Sequence, residues 1–223
     1  MSKTKDVKDI IIGLLKGTGR AGIDELIKWL EENGFFKSPA STKFHSAYPG
    51  GLAKHSLGVY ELLSRYQNKF DLGKASAPGQ QPLPMDENTI VIAALLHDVC
   101  KVGAYLGSEA PYQWNKSQPK GHALLSIERI EKFIKLTDLE KLMIKYHMGP
   151  YGCNEFYDKD DWQQGEYPLR GDHSEDENLS KEESKKRRYG NSMANAWYHN
   201  PIVKLMYFCD ELATLEEKSE SEV

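Results

Sequence analysis

The chain of 223 residues has only three cysteines, Cys100, Cys153 and Cys209, and no two of them form a CxxC pair. Their spacing excludes a thiolate zinc site and a disulfide framework, and fits a reduced, cytoplasmic setting. No apolar run approaches the roughly 20 residues that a membrane-spanning helix needs. The short mixed run after Met1-Ser2-Lys3-Thr4-Lys5-Asp6 is too weak for a signal peptide. Neither sign of charge dominates. A net charge of −4 argues against a surface built for general polyanion binding, and 39% apolar residues fit an ordinary soluble protein.

What the chain does have is helical periodicity. Val7, Ile10, Ile11, Leu14 and Leu15 trace one face, stopped by Gly17-Thr18-Gly19. Ile23, Leu26, Ile27 and Leu30 trace a second, with Gly34 as its stop. These predict a small N-terminal helical hairpin within residues 1–47, packed on the main body, with Phe35 to Gly51 as loop. A main domain over 48–217 follows. It opens with a helix from Leu52 towards Phe70, and a Gly/Pro/Gln/Ser-rich loop runs from Gly73 to Pro84. The central helix is expected from about Asp86, its N-cap, to Val99. Ala104 to Tyr112 reads as a turn or strand pair. Helices are expected over His122–Leu136 and Thr137–His147, with Thr137 and Glu140 as a capping box. Residues 149–191 lose apolar periodicity and read as a long irregular insertion before a last helix, Pro201–Glu217. Residues 218–223 form a charged tail. The fold class is all-α.

The sharpest signal is His97-Asp98, at the end of Thr89-Ile90-Val91-Ile92-Ala93-Ala94-Leu95-Leu96. A helix that apolar is buried, so it carries an imidazole and a carboxylate into the interior. A buried carboxylate is costly unless paired, and where histidines gather a metal ion is a common partner. His55, His122, His147 and Asp210 are the further candidates. His55, His97, Asp98 and Asp210 on three helices can surround one divalent ion. Asp98 can bridge to a second ion held with His122 and His147.

In order, these motifs resemble the HD-domain superfamily of metal-dependent phosphohydrolases. The resemblance lies in Gly50-Gly51-Leu52-Ala53-Lys54-His55-Ser56-Leu57, in Ala94-Leu95-Leu96-His97-Asp98-Val99-Cys100-Lys101 and in Asp210. Gly121-His122-Ala123-Leu124 and Tyr146-His147-Met148-Gly149 are similar to the extra histidines of the two-metal branch, which includes bacterial HD-type 3′-to-5′ exoribonucleases. The resemblance implies an HD helical bundle and hydrolysis of a phosphoester by metal-activated water, on a nucleotide or a nucleic-acid end.

Such chemistry needs a nucleophile and relief of negative charge on phosphoryl oxygens, and one or two divalent ions supply both. Asp98 and Lys101 are the expected catalytic residues, with Lys101 as a point charge for the phosphate; the alternative for Lys101 is a solvated lysine at a helix end. The nitrogen and oxygen donors suit Mn, Fe, Ni, Co, Zn or Mg without choosing among them. Substrate contacts are expected from Lys101, Tyr105, Tyr112, Trp114, Lys116 and Tyr151, which can stack a base and grip a phosphate. The partner is a phosphorylated small molecule or nucleic-acid end, with no membrane and no protein partner deducible. His45, His173 and His199 receive no role, and Cys100 and Cys209 read as core packing. Two other readings stand beside the enzyme: a nucleotide-binding or regulatory HD module with little turnover, and a metal-free buried hydrogen-bond network.

Overall fold

Apolar side chains recur every three to four positions through most of the chain, and the structure is correspondingly helical. A computed structural model describes residues 6–69, 83–119, 121–150 and 192–221. In chain order these form α1 (Val7–Gly17), α2 (Ile23–Glu32), α3 (Gly51–Tyr66), α4 (Thr89–Leu96), β1 (Tyr105–Leu106), β2 (Gln113–Trp114), α5 (His122–Glu131), α6 (Asp138–Lys145), α7 (192–199) and α8 (Pro201–Ser221). The fold is all-α. Its one sheet among the described residues is the β1–β2 hairpin, paired Tyr105 to Trp114 and Leu106 to Gln113.

Helix α4 is the centre. All its residues except Val91 are buried, because α3, α6 and α1 pack around it. A helix with no polar face has no stable place except inside. The α1–α2 hairpin shares this core: Ile11, Leu15, Leu26 and Leu30 are buried in one cluster with Leu52, Leu63, Ile92 and Leu95. Helix α2 ends as expected at Gly34, whose φ of 86° lets the Phe35 N–H reach back to the Leu30 carbonyl at 3.0 Å. No helix of the described residues is long and apolar enough to cross a membrane.

The central helix is shorter at both ends than the apolar pattern suggests. Asp86 does not cap it. The preceding residue is Asn88, and Asp86 Oδ1 instead accepts from the Asn88 N–H at 2.9 Å and the Thr89 hydroxyl at 3.0 Å. At the other end the α-helix stops at Leu96, and a 3₁₀ turn, Val99–Lys101, follows. Helix α5 explains the break. Arg129 Nη1 donates to the carbonyls of Val99, Cys100 and Val102 at 2.9, 2.9 and 3.0 Å. The Cys100 N–H donates to Ser126 Oγ at 3.0 Å.

Helix α5 also ends early, at Glu131, before the expected Leu136. Helix α6 starts with the anticipated capping box: the Glu140 N–H donates to Thr137 Oγ1 at 3.2 Å and the Thr137 N–H to Glu140 Oε2 at 2.8 Å. Helix α7 was not anticipated, its apolar face being only Met193, Ala196 and Trp197. Helix α8 runs to Ser221 where the pattern ended at Glu217. Residues 151–191, most of the expected insertion, lie outside the described residues.

One close approach sets the start of α3. A Cβ on Gly51 would lie 1.9 Å from the Ser46 carbonyl oxygen, whereas one on Gly13, in the exposed middle of α1, meets nothing within 4 Å. Gly51→Ala is therefore expected to lower unfolding free energy by about 1–3 kcal/mol. Gly13→Ala is expected to raise it by about 0.5–1 kcal/mol. Urea unfolding of the two variants checks both signs.

Candidate metal centre

Asp98 lies just past the end of α4, 1% exposed, and its two oxygens face different imidazoles. Oδ2 lies 3.4 Å from His97 Nε2 and 3.9 Å from His55 Nε2. Oδ1 lies 2.7 Å from His122 Nε2 and 3.6 Å from His147 Nε2. Asp210 of α8 closes the first pair, with Oδ1 2.9 Å from His55 Nε2 and 3.5 Å from His97 Nε2. The rings of His55, His97, His147 and His122 follow one another at centroid spacings of 5.4, 4.8 and 5.3 Å. Thus α3, α4, α5, the end of α6 and α8 each bring a side chain to one point. All six residues that the sequence singled out as metal candidates meet there.

Outer partners decide which ring nitrogens face inward. The carbonyls of Ala94 and Ile144 lie 2.8 and 2.6 Å from Nδ1 of His97 and His147. A carbonyl only accepts, so Nδ1 carries the proton and a neutral ring keeps its Nε2 lone pair for the centre. His55 Nδ1 is 3.0 Å from Glu217 Oε1, a carboxylate–histidine pair of the kind that backs metal ligands. His122 Nδ1 is 2.9 Å from the Cys100 sulfur, a weaker acceptor.

The electrostatics are those of a site that draws in positive charge. Burial pushes the Asp98 carboxyl up, but Lys101, His97 and His122 outweigh it and hold it well below the usual carboxylate range. Burial likewise opposes ionisation of Asp210, and His55 and His97 reverse it. Burial pushes the His97 imidazole down, yet Asp98 and Asp210 raise it to about 10. His122 is raised well above its ordinary value against burial, through Cys100 and Asp98. His147 is lowered, chiefly by burial.

The donor set fits a metal ion. His97 Nε2 and Asp98 Oδ1 are buried with no hydrogen-bond partner, and the 2.7 Å approach of His122 Nε2 to Asp98 Oδ1 lacks hydrogen-bond alignment. Buried polar atoms left without partners cost roughly 1–3 kcal/mol each, and a cation held by them removes that cost. His55, His97 and Asp98 present atoms within 4.8 Å of one another, as do His97, His147 and Asp210, and these groups are close enough to hold a metal.

A cavity of about 560 Å³ opens beside the cluster. Lys101 and His122 lie on its inner side. Lys101 is not the solvated helix-end lysine that was the alternative. Its side chain is 12% exposed, with Nζ 2.5 Å from Asp98 Oδ2. Burial opposes its charge, but Asp98 more than compensates and raises it above the usual lysine range. Tyr105 and Trp114 line the same cavity, their rings edge to face at 5.8 Å. Tyr112 does not. It is buried and lines a separate hollow of about 270 Å³ with Pro39, Pro49 and Gly107. Lys116 is exposed and lines neither space. Tyr151 falls outside the described residues.

Four participants escaped the sequence reading. Glu217 follows Asp210 by seven residues, two helical turns along the same face, which was a usable signal. His45 had been given no role, yet its ring is 5.0 Å from that of His55. Burial lowers it to about 4, helped by Lys101 and His55. Phe44, beside it, lines the cavity mouth. Cys100 is buried, as a core residue should be, and it also reaches the centre: the chain has already left the α-helix, and the 3₁₀ turn carries the sulfur to His122.

Comparison with protein families finds a match of the HD domain to residues 52–185. Comparison with curated proteins finds no match, and neither does comparison with solved structures. The matched span holds His55, His97, Asp98, His122 and His147 and covers more than half of the chain. Asp210 and Glu217 lie beyond it and join the site through α8. HD domains are typically metal-dependent hydrolases that bind divalent ions. An HD-type order of histidines and aspartates, a helical bundle that gathers them, and the family match agree: the chain belongs to the HD domain family.

Proposed function

We propose that the protein is a metal-dependent phosphohydrolase acting on a nucleotide or a nucleic-acid phosphoester, with water as nucleophile. The observation that carries this reading is the division of four imidazoles between the two oxygens of Asp98. His55, His97, Asp98 and Asp210 would hold a first ion; Asp98, His122 and His147 would hold a second. Bound there, divalent ions lower the pKa of water and offset charge on phosphoryl oxygens.

The chain's own groups do the rest. Asp98 stays ionised because Lys101 and the imidazoles hold it so. Lys101, on the cavity side, presents a fixed positive charge to a phosphoryl oxygen as negative charge grows there. Glu217 keeps the His55 ring oriented with Nε2 inward, towards Asp210. The cavity beside Lys101 admits the substrate, and the surrounding apolar core limits water. The free thiols Cys100 and Cys209, both buried, suit a cytoplasmic setting.

Two outcomes are expected. Protein supplied in turn with Mn, Fe, Co, Ni, Zn and Mg hydrolyses phosphoesters on a broad panel with at least one of them. Asp98→Asn abolishes that activity, and Lys101→Met lowers kcat by about 100-fold or more with the fold intact by circular dichroism. Turnover that is indifferent to Asp98→Asn sinks the proposal; nucleotide binding with no turnover under any metal sinks it and favours a regulatory module.

Metal uptake is also expected to release protons. His97, raised to about 10, and His122, raised well above its ordinary value, are protonated at neutral pH and must lose those protons to coordinate. Affinity therefore climbs as pH rises through the neutral range towards 10 and falls as pH drops. Calorimetric titration of Mn in two buffers of different ionisation enthalpy measures the release. Identical heats in both would remove these imidazoles from the ligand set.

A further inference from the structure

The cavity beside the metal centre is polar at its inner end and aromatic at its mouth. Inside lie Lys101, His122 and His45, whose Nε2 is buried without a partner. At the opening lie Phe44 and Trp114, 64% and 49% exposed. Aromatic rings this exposed, both lining one cavity whose floor is a cationic site, give up burial that the core would otherwise provide. Trp114 stands on β2, held to β1 by the hairpin ladder. Phe44 stands on a loop whose N–H groups at Phe44 and His45 both donate to Ser41 Oγ, at 3.0 and 3.1 Å. The two supports are tied together where the Tyr112 N–H donates to the Thr42 carbonyl at 2.8 Å.

The polar groups on the wall between floor and mouth are already engaged. Ser41 Oγ donates to the His45 carbonyl at 2.7 Å. The Gln118 amide donates to the Gly103 carbonyl at 3.0 Å and accepts from Arg129 at 2.7 Å. The Tyr105 hydroxyl donates to the Ala40 carbonyl at 3.4 Å. Among the described residues, Thr42 leaves one hydroxyl, and Trp114 one indole N–H. Two small groups do not make the paired donor–acceptor pattern that tells one base edge from another. Ring faces, by contrast, are common to every base, and stacking on them tolerates sequence.

We propose that Phe44 and Trp114 form a base-stacking subsite that takes any nucleobase by its face, so that the protein accepts 5′-nucleotides of all four bases with little discrimination. The subsite rests on the phosphohydrolase reading for its geometry: the phosphate lies towards Lys101 and the metal residues, and the base lies out at the rings. Selectivity then resides in the phosphate and its immediate surroundings. A site built on base-edge hydrogen bonds would reject a wrong base by about 10⁴-fold or more; this one ranks bases only by stacking strength, purines ahead of pyrimidines.

The test uses non-hydrolysable 5′-phosphonate analogues of adenosine, guanosine, cytidine and uridine, with the ribose 5-phosphonate as a base-free control. Binding to the full-length Mn-loaded protein is followed by calorimetry. The four nucleoside analogues are expected to fall within about tenfold of one another, and the base-free analogue to bind about tenfold more weakly than their mean. Phe44→Ala and Trp114→Ala are each expected to raise Kd for all four by up to about tenfold, towards that of the base-free analogue. Phe44→Tyr and Trp114→Phe, which keep a ring, restore most of the affinity. A spread wider than tenfold among the bases, or a Kd left in place by either alanine variant, overturns the proposal. The two readings fail separately. Ring-dependent binding with no hydrolysis of any nucleotide leaves the subsite standing and removes the enzyme. Nucleotide hydrolysis with ring-independent binding does the reverse.

Discussion

A carboxylate cut off from water imposes the rest of this structure. Isolated in the interior, Asp98 would cost several kcal/mol. The apolar helix before it leaves it no way out to solvent. Lys101 answers one of its oxygens, while the other meets only imidazole nitrogen. Positive charge therefore has to collect around it, as protons on histidine rings or as bound cations. Helix α3, helix α5 and the end of α6 bring the imidazoles that can carry it, while α8 adds a second carboxylate, Asp210, that increases the demand. What makes the site expensive without a ligand is also what gives a divalent ion something to bind.

The outer contacts show how such a cluster keeps its shape. Two rings, His97 and His147, lean on carbonyls three residues earlier in their own chain segment, so their orientation comes with the local backbone. The other two rely on side chains: His55 on Glu217, and His122 on Cys100. The half of the centre nearest α8 is thus braced by a full carboxylate and the half nearest the cavity by a sulfur, which binds the ring proton less firmly. The two halves share Asp98 and are not equivalent.

Much of this could be read from the chain because the signals were local. The unbroken apolar run of α4, the Thr137–Glu140 box and the ordered histidines each announce themselves within a few residues, and the all-α class follows from them. What could not be read depends on groups far along the chain. The end of α4 at Leu96 is fixed by Arg129, 27 residues beyond Val102, and no pattern near His97 encodes it. The same boundary brings the buried Cys100 up to His122, a contact that the core reading does not anticipate. His45 sits in a loop with no periodicity, and only the fold sets it against His55. Tyr112 and Trp114 look alike in sequence as aromatic loop residues. Tyr112 lies just before β2 and Trp114 within it, and only the fold sends one into a separate hollow and the other to the cavity mouth. Tyr151 and the segment around it fall outside the described residues.

Arg129 also has a back. While one face of its guanidinium region gathers the carbonyls of the turn that carries Asp98 and Lys101, its Cζ stands 6.0 Å from the ring of Trp29. Trp29 belongs to α2, in the N-terminal hairpin. Besides the shared core, a cation–aromatic contact thereby joins this pair of helices to the residue that holds the turn of Asp98 and Lys101. The N-terminal hairpin thus stands behind the residue that holds the turn of Asp98 and Lys101, without lending the centre a side chain of its own.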